Sequence, residues 1–255
     1  MFTPIRLIAR YTLLEALRNR MAWLFVAIAV VAVGLGGFLN ALALTESRQI
    51  QLAVLAAFTR AAAVFALAAF IVTSMAREFN DKGLELFLAL PLPRASYYLG
   101  KLSGFCLLAA IPAVLYGALA ALLATPLQAV LWASALLCEL WLVAAFCLLC
   151  VLSFTHVMGA LAAVMGFYLL GRSIGALQLI AQASGEEGGW SQQVFRLVFD
   201  VLGAILPRLD RFTPTDWLVQ SSGDWSALGA LLLQGGAFLV LAVGAGLFDL
   251  YRRNI

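Results

Sequence analysis

Charged residues are scarce in this chain of 255 residues: they make up 11% of it, against 64% hydrophobic residues and a mean hydropathy of +1.00. An average soluble domain carries about 25% charged residues, so the composition excludes an ordinary soluble protein. A bilayer core about 30 Å thick needs about 20 apolar residues per helix, which gives room for about six spans. We therefore expect an all-α polytopic membrane protein with one transmembrane domain over residues 1–255.

Histidine is nearly absent, which limits the chemistry that the chain can carry out. His156 is the one histidine, and no Ser-His-Asp or catalytic metal constellation can be assembled around it. The pair Cys147 and Cys150, with His156 and Met158 nearby, has ligand types that suit copper. Cysteines three residues apart among leucines are more often packing residues, so we expect no metal ligands and no catalytic residues here.

A strong excess of one charge is also lacking. The net charge is +3, and the basic residues are spread along the ends of apolar runs, so a nucleic-acid partner is not expected. The nucleotide-binding pattern G-x-x-x-x-G-K-[ST] does not occur: Gly100-Lys101 has neither the upstream glycine nor the following hydroxyl. We therefore expect that this chain does not hydrolyse ATP.

Six apolar runs are present, and each is long enough to span a membrane. They cover residues 21–44, 52–75, 97–123, 127–153, 156–180 and 225–250. Basic residues concentrate in the first tail, in the connection between spans 2 and 3, and in the last tail. The positive-inside rule assigns these three regions to the cytoplasm, with both termini there.

Two further helices are expected outside the spans. Residues 1–20 predict an N-terminal helix at the membrane surface, packed on protein as well as lipid. The external loop 181–224 contains an amphipathic stretch, 190–206, that is too short and too charged to span. It fits either an interfacial helix, the default, or a helix that dips back into the bundle. Pro207 and Pro214 end it, and Trp217 is expected to anchor at the headgroups.

The connection at residues 76–95 is the one charged stretch between two long apolar runs. Five charges fall within residues 77–85, on Arg77, Glu78, Asp81, Lys82 and Glu85. The stretch then turns apolar until Pro91 and Pro93 end it. A solvated loop that obeys the positive-inside rule needs only Lys and Arg, so the mixed signs favour a short stiff helix that docks into a protein groove.

This connection resembles the cytoplasmic loop of type-2 ABC exporter permeases. The resemblance rests on Arg77-Glu78, Lys82-Gly83-Leu84-Glu85, the turn from Leu90 to Arg94, and Gly100-Lys101, although the Thr that usually follows the glycine is missing. The opening Ile8-Ala9-Arg10 and the stretch Glu15 to Arg20 are similar to the branch associated with maturation of multicopper enzymes, including the permease that serves nitrous oxide reductase.

The resemblance implies a homodimeric permease in a bacterial inner membrane, bound to two copies of a separate ABC ATPase that carries the ATP and magnesium. Membrane lipid and a periplasmic protein at the external loop are further candidate partners. The residues that it assigns to ATPase coupling are Arg77, Glu78, Asp81, Lys82, Gly83, Glu85, Pro91 and Arg94. A membrane scaffold that recruits a cytoplasmic protein without transport is the alternative. The cargo stays open between a lipid-like molecule, a sulfur or copper species, and a peptide.

Three ionisable residues lie within the predicted spans: Arg60, Glu139 and Arg172. Each costs about 2.5–3.5 kcal/mol on insertion scales if it faces lipid at the bilayer centre, so each should face protein or water. A Glu139–Arg60 pair is the simplest arrangement, while Arg172 could also extend outward to the headgroups. A buried ion pair that fixes helix packing and a role along the substrate path are equally good interpretations.

Overall fold

The computed structural model describes residues 2–42, 47–80, 93–154, 156–183, 203 and 207–252. Within these residues the chain is almost entirely helical, without strands. The main helices are α1 (Phe2–Arg18), α2 (Met21–Leu42), α3 (Ser47–Asn80), α4 (Arg94–Leu123), α5 (Pro126–Ser153), α6 (Val157–Ala183), α7 (Asp216–Val219) and α8 (Trp225–Arg252). Six of them, α2 to α6 and α8, are long and apolar enough to cross a membrane, so the predicted fold class is confirmed.

The central helix is α5, since 78% of its apolar span is buried inside the protein, against 17% for α8 and 28% for α2. It packs against α3, α4, α6 and α8. Its start is defined by Pro126 in the first turn, where a missing backbone N–H costs nothing. Glu139 lies near the middle of this helix and is therefore at the centre of the bundle.

The bundle has two ends, which we name by the residues found there. At the proximal end are α1, the last turn of α3, the first turns of α4 and the last turn of α8, where Arg94 donates a hydrogen bond to the Leu250 carbonyl. At the distal end Arg48 donates to the Leu123 carbonyl, and Gln128 binds the backbone of Ser221 and Gly223. Asp224 then accepts hydrogen bonds from the Ser226 hydroxyl and the Trp225 N–H, which hold its pKa below the usual range at the start of α8.

The helix α3 is longer than the sequence predicts. The predicted second span ends at residue 75, whereas α3 runs from Ser47 to Asn80 and includes Arg77 and Glu78. The prediction that Arg77 and Glu78 belong to a separate short helix is therefore wrong. The reason is local: no glycine or proline follows Met75 before Gly83, so nothing ends the helix at the membrane boundary. The rest of the predicted coupling helix, residues 81–92, lies outside the described residues.

The N-terminal helix α1 packs on α4 through two glycines. Ile8, Ala9 and Thr12 of α1 are buried, and they lie against Gly100 and Gly104. A Cβ atom at Gly104 would be 2.6 Å from Thr12 Cβ and 3.0 Å from the Ala9 carbonyl oxygen. The close approach of α1 to α4 therefore depends on hydrogen in place of a side chain at these positions.

We expect Gly104→Ala to lower the thermal unfolding midpoint of the protein in detergent, because overpacking a tight contact costs about 1–3 kcal/mol. Trypsin cleavage after the exposed Arg10 should accelerate as α1 detaches. Gly166→Ala in α6 is the matched control, since a Cβ there meets nothing within 4 Å. Both changes gain about the same helix propensity, about 1 kcal/mol. Equal midpoints for the two variants would refute the packing argument.

Candidate functional site

A buried ion pair joins the end of α3 to the start of α4 at the proximal end. Lys101 Nζ lies 2.5 Å from Glu78 Oε2, and their side chains are 8% and 15% exposed. The Tyr97 hydroxyl donates a hydrogen bond of 2.9 Å to the other carboxylate oxygen of Glu78. Hydrogen bonds to a charged group in a partly buried site are stronger than exposed ones. The two helices that flank residues 81–92 are therefore fixed to each other.

The same lysine reaches α1. Glu15 Oε2 lies 4.0 Å from Lys101 Nζ, and the Ser74 hydroxyl of α3 donates a hydrogen bond of 2.6 Å to Glu15 Oε1. We call the five residues Glu15, Ser74, Glu78, Tyr97 and Lys101 the proximal network. It links three helices around one ammonium group and two carboxylates.

The proximal network changes the interpretation of the predicted coupling residues. Glu78 directs its carboxylate to Lys101 and Tyr97 inside the protein, while Arg77 beside it is exposed. Arg94 contacts the end of α8. The other predicted coupling residues lie outside the described residues; they are Asp81, Lys82, Gly83, Glu85 and Pro91. Of the network, sequence reasoning missed Ser74 and Tyr97, and it noted Glu15 and Lys101 only as parts of motifs.

The second polar site lies in the middle of the bundle around Glu139, which is fully buried. The Thr213 hydroxyl donates a hydrogen bond of 2.6 Å to Glu139 Oε2, and Arg172 Nη1 of α6 lies 3.9 Å from Glu139 Oε1. Arg60 of α3 and Tyr168 of α6 are near enough to interact electrostatically with the carboxylate. The structure thus brings all three predicted intramembrane residues together, and adds Thr213.

The ion pair of Glu139 differs from the simplest arrangement that the sequence suggested. Among the described residues, the ion pair of Glu139 within 4 Å is with Arg172, while Arg60 Nη1 donates a hydrogen bond of 3.0 Å to the Thr213 carbonyl. Arg172 turns inward rather than to the headgroups, since its Nη1 also donates bonds of 2.7 Å to the carbonyls of Leu209 and Phe212. Both arginines therefore bind the backbone of one segment that sequence reasoning placed outside the bundle.

That segment, residues 207–219, is re-entrant. Glu139 follows Pro126 by 13 residues, so Thr213 meets α5 about 20 Å from the distal end of that helix. The chain returns to the distal end by residue 223, where Gln128 binds it. Trp217 is buried beside Gly223 near this end, so its ring packs on protein, and its position at the headgroups stays a prediction. The predicted helix 190–206 lies outside the described residues, and Gly203 alone of that stretch is described, against Gln178 of α6.

The contact between the re-entrant segment and the bundle is polar but incompletely paired. Among the described residues, five buried side-chain atoms lack a hydrogen-bond partner within the protein. Three of them are here: Arg60 Nε, Asp210 Oδ1, and Glu139 Oε1, which has the Arg172 ion pair but no hydrogen bond. Thr213 has φ of 48°, a left-handed conformation that is unusual for a β-branched residue. Such outliers cost about 1–3 kcal/mol each and are typical of functional sites.

Cys147 and Cys150 belong to neither of the two polar sites. Cys147 and Cys150 are buried within the apolar core of α5. In the part of the chain that the structure describes, no group of three or more His, Cys, Asp or Glu side chains could hold a metal ion. His156 lines a cavity of about 220 Å³ at the proximal end with Val72, Phe79 and Phe154.

Comparison with known proteins does not assign the chain to a family. No protein-family model matches the sequence, and no curated protein matches it. The functional interpretation therefore rests on the residues and their geometry.

We expect Lys101→Met to lower the thermal unfolding midpoint markedly, because Glu78 would be left partly buried without its cation. Removing one partner of a buried ion pair costs about 3–5 kcal/mol, and the partial exposure of Glu78 reduces this. Arg77→Met on the exposed side of the same region is the control and should leave the midpoint unchanged within error. A midpoint for Lys101→Met equal to that of the control would contradict the proximal network.

Arg172→Met should destabilise the protein more strongly, because it strips the Leu209 and Phe212 carbonyls of a donor and leaves Glu139 without its ion pair. The double variant Arg172→Met/Glu139→Gln should recover part of the loss, since the neutral glutamine can still accept from Thr213, no buried carboxylate is left without its nearest cation, and Arg60 keeps the Thr213 carbonyl. Unfolding midpoints of the two single variants and the double variant measure this coupling. Strict additivity would show that Glu139 and Arg172 act independently.

Proposed function

We propose that this chain is the membrane-spanning permease subunit of an ABC transporter of the exporter type. It works as a homodimer in the inner membrane, with its proximal end in the cytoplasm, where two copies of a separate ATPase dock on residues 81–92. ATP and magnesium bind to that partner, in keeping with the lack of a G-x-x-x-x-G-K-[ST] pattern in this sequence. The exposed apolar surfaces of α2 and α8 are available to lipid and to the second copy.

The observation that supports this proposal best is the proximal network. The two ends of residues 81–92 are joined by the Glu78–Lys101 pair, and both are joined to α1 by Glu15. Because the flanking helices are fixed to each other, a push on this connection moves α1, α3 and α4 together instead of bending a loose loop. A loop that merely satisfied membrane topology would need no such internal pairing.

The helix α3 extends this argument to the bundle centre. Glu78 and Ser74 lie in its last turns, and Arg60 lies 18 residues before Glu78, about 27 Å along the helix axis. A tilt of α3 at the proximal end therefore displaces Arg60 relative to Thr213 on the re-entrant segment. One helix therefore carries residues of both polar sites, which gives a route by which docking at the cytoplasmic end could favour one of two arrangements at the bundle centre.

The test is association with an ATPase that depends on residues 81–92. The full chain, purified with an affinity tag from membranes of its source organism, should bring with it a protein whose ATP hydrolysis is inhibited by orthovanadate. The double charge reversal Asp81→Lys/Glu85→Lys should lower the rate of ATP hydrolysis in the purified sample at least tenfold. Glu78 is unsuitable for this purpose, because its change would disturb the proximal network.

The matched control is Arg10→Glu, a charge reversal at an exposed position of α1 outside the connection. It should leave the associated ATP hydrolysis unchanged within a factor of two. ATP hydrolysis that persists through Asp81→Lys/Glu85→Lys would contradict coupling through this connection. Association with a protein that does not hydrolyse ATP would instead favour the membrane scaffold.

A further inference from the structure

We propose that a cleft beside α8 binds an anionic phospholipid of the membrane leaflet at the distal end, with Arg211 paired to the lipid phosphate. The cleft has a volume of about 380 Å³. Its walls include Arg211 and Trp217 of the segment 207–219, and Ala227, Ala230, Leu231 and Gln234 of α8. The site is separate from residues 81–92 and needs no ATPase, so this inference does not depend on the proposed function.

The first argument is the depth of Arg211. The carbonyls of Leu209 and Phe212, on either side of it, both accept hydrogen bonds from Arg172, which lies beside Glu139 at the bundle centre. The backbone of Arg211 is therefore at membrane depth, although the sequence placed this residue in the external loop. Its side chain is exposed. A guanidinium at this depth carries the insertion cost of an intramembrane charge unless an anion or water meets it.

The second argument is that the protein offers no anion to this arginine. In the part of the chain that the structure describes, the ion pairs within 4.0 Å all involve other cations. The Asp210 carboxylate is directed to Gly175 of α6, and its Oδ1 atom is buried. Asp216, at the start of α7, is exposed and forms no ion pair with Arg211. An anion from outside the protein is therefore needed, and the phosphate groups of the membrane are the nearest source.

The third argument is the chemistry of the wall that α8 contributes. Trp225, at the start of α8, is exposed, which is typical of a tryptophan at the level of the headgroups. Gln234 follows it by nine residues, which is about 13 Å along the helix axis. The cleft therefore runs from the headgroup level into the membrane and has an amide at its deep end. The wall between these two levels is formed by Ala227, Ala230 and Leu231.

This combination fits a lipid better than a free anion. Only 17% of the apolar span of α8 is buried, so the cleft opens sideways to the bilayer. A phosphate that enters from the bilayer can bind the guanidinium with two hydrogen bonds and also accept one from Gln234. The acyl chain of the same lipid covers Ala230 and Leu231, which a free phosphate would leave exposed. A lipid without a cationic headgroup is favoured, because an ammonium group would compete with Arg211 for the phosphate.

The test titrates the purified full-length protein in detergent with phosphatidylglycerol and measures bound lipid by mass spectrometry of the intact protein. Arg211→Gln should weaken the first binding step by about tenfold or more, because a hydrogen bond to a charged group contributes about that factor. The parent protein should bind phosphatidylcholine more weakly than phosphatidylglycerol. Inorganic phosphate in large excess should not displace the lipid; displacement would show that the cleft takes a free anion and would overturn the lipid assignment.

The matched control is Arg10→Gln, which removes an exposed arginine of α1 at the proximal end. It lowers the net charge by the same amount as Arg211→Gln, and it should change the first binding step by less than a factor of two. If the two variants weaken binding equally, the lipid responds to overall charge and the proposal is overturned. The same conclusion follows if Arg211→Gln binds phosphatidylglycerol as well as the parent does.

Filling the cleft tests the site a second way, with every charge kept. Ala230 is exposed on the wall of the cleft, so Ala230→Trp places a large side chain where the lipid would lie. This variant should weaken phosphatidylglycerol binding as much as Arg211→Gln does. Leu233→Trp is the control, since Leu233 is 79% exposed and does not line the cleft. Binding that survives Ala230→Trp would show that the lipid does not enter the cleft and would overturn the proposal.

Discussion

Backbone without helical hydrogen bonds cannot lie at membrane depth unless protein groups bind its carbonyls, and this constraint organises the centre of the molecule. Residues 207–219 enter the bundle as irregular chain with two short turns, so their carbonyls need donors. Arg172 and Arg60 supply them. Guanidinium groups suit the task because each carries five donors in a fixed geometry. Glu139 then follows from the arginines, since cations in this environment need an anion nearby.

The helix α3 connects the two polar sites. Arg60 is carried by α3, and the same helix ends in Ser74 and Glu78 of the proximal network. The buried Lys101 prevents the proximal ends of α3 and α4 from separating. One continuous helix therefore carries Arg60 at the bundle centre and two residues of the proximal network.

The six spans could be predicted from the sequence because each is a run of about 20 apolar residues, a signal that needs no tertiary information. The extent of α3 could not, since the apolar run ends at Met75 while the helix continues through Arg77 and Glu78. Glu78 is paired by Lys101 and Tyr97 from another helix. Glu139, Arg60 and Arg172 could be identified as inward-facing from their cost in lipid. Their pairing depended on Thr213, whose position is set by a re-entrant path that hydropathy does not encode.

The charge balance around Glu139 makes the re-entrant segment and the three ionisable side chains depend on one another. The two arginines spread their charge over three backbone carbonyls and one carboxylate. Without the carbonyls of the segment, Glu139 alone would have to neutralise two cations. A dry site with one uncompensated guanidinium would cost several kcal/mol. The arginines therefore hold the segment at the bundle centre, and the carbonyls of the segment in turn allow two arginines to lie beside a single glutamate.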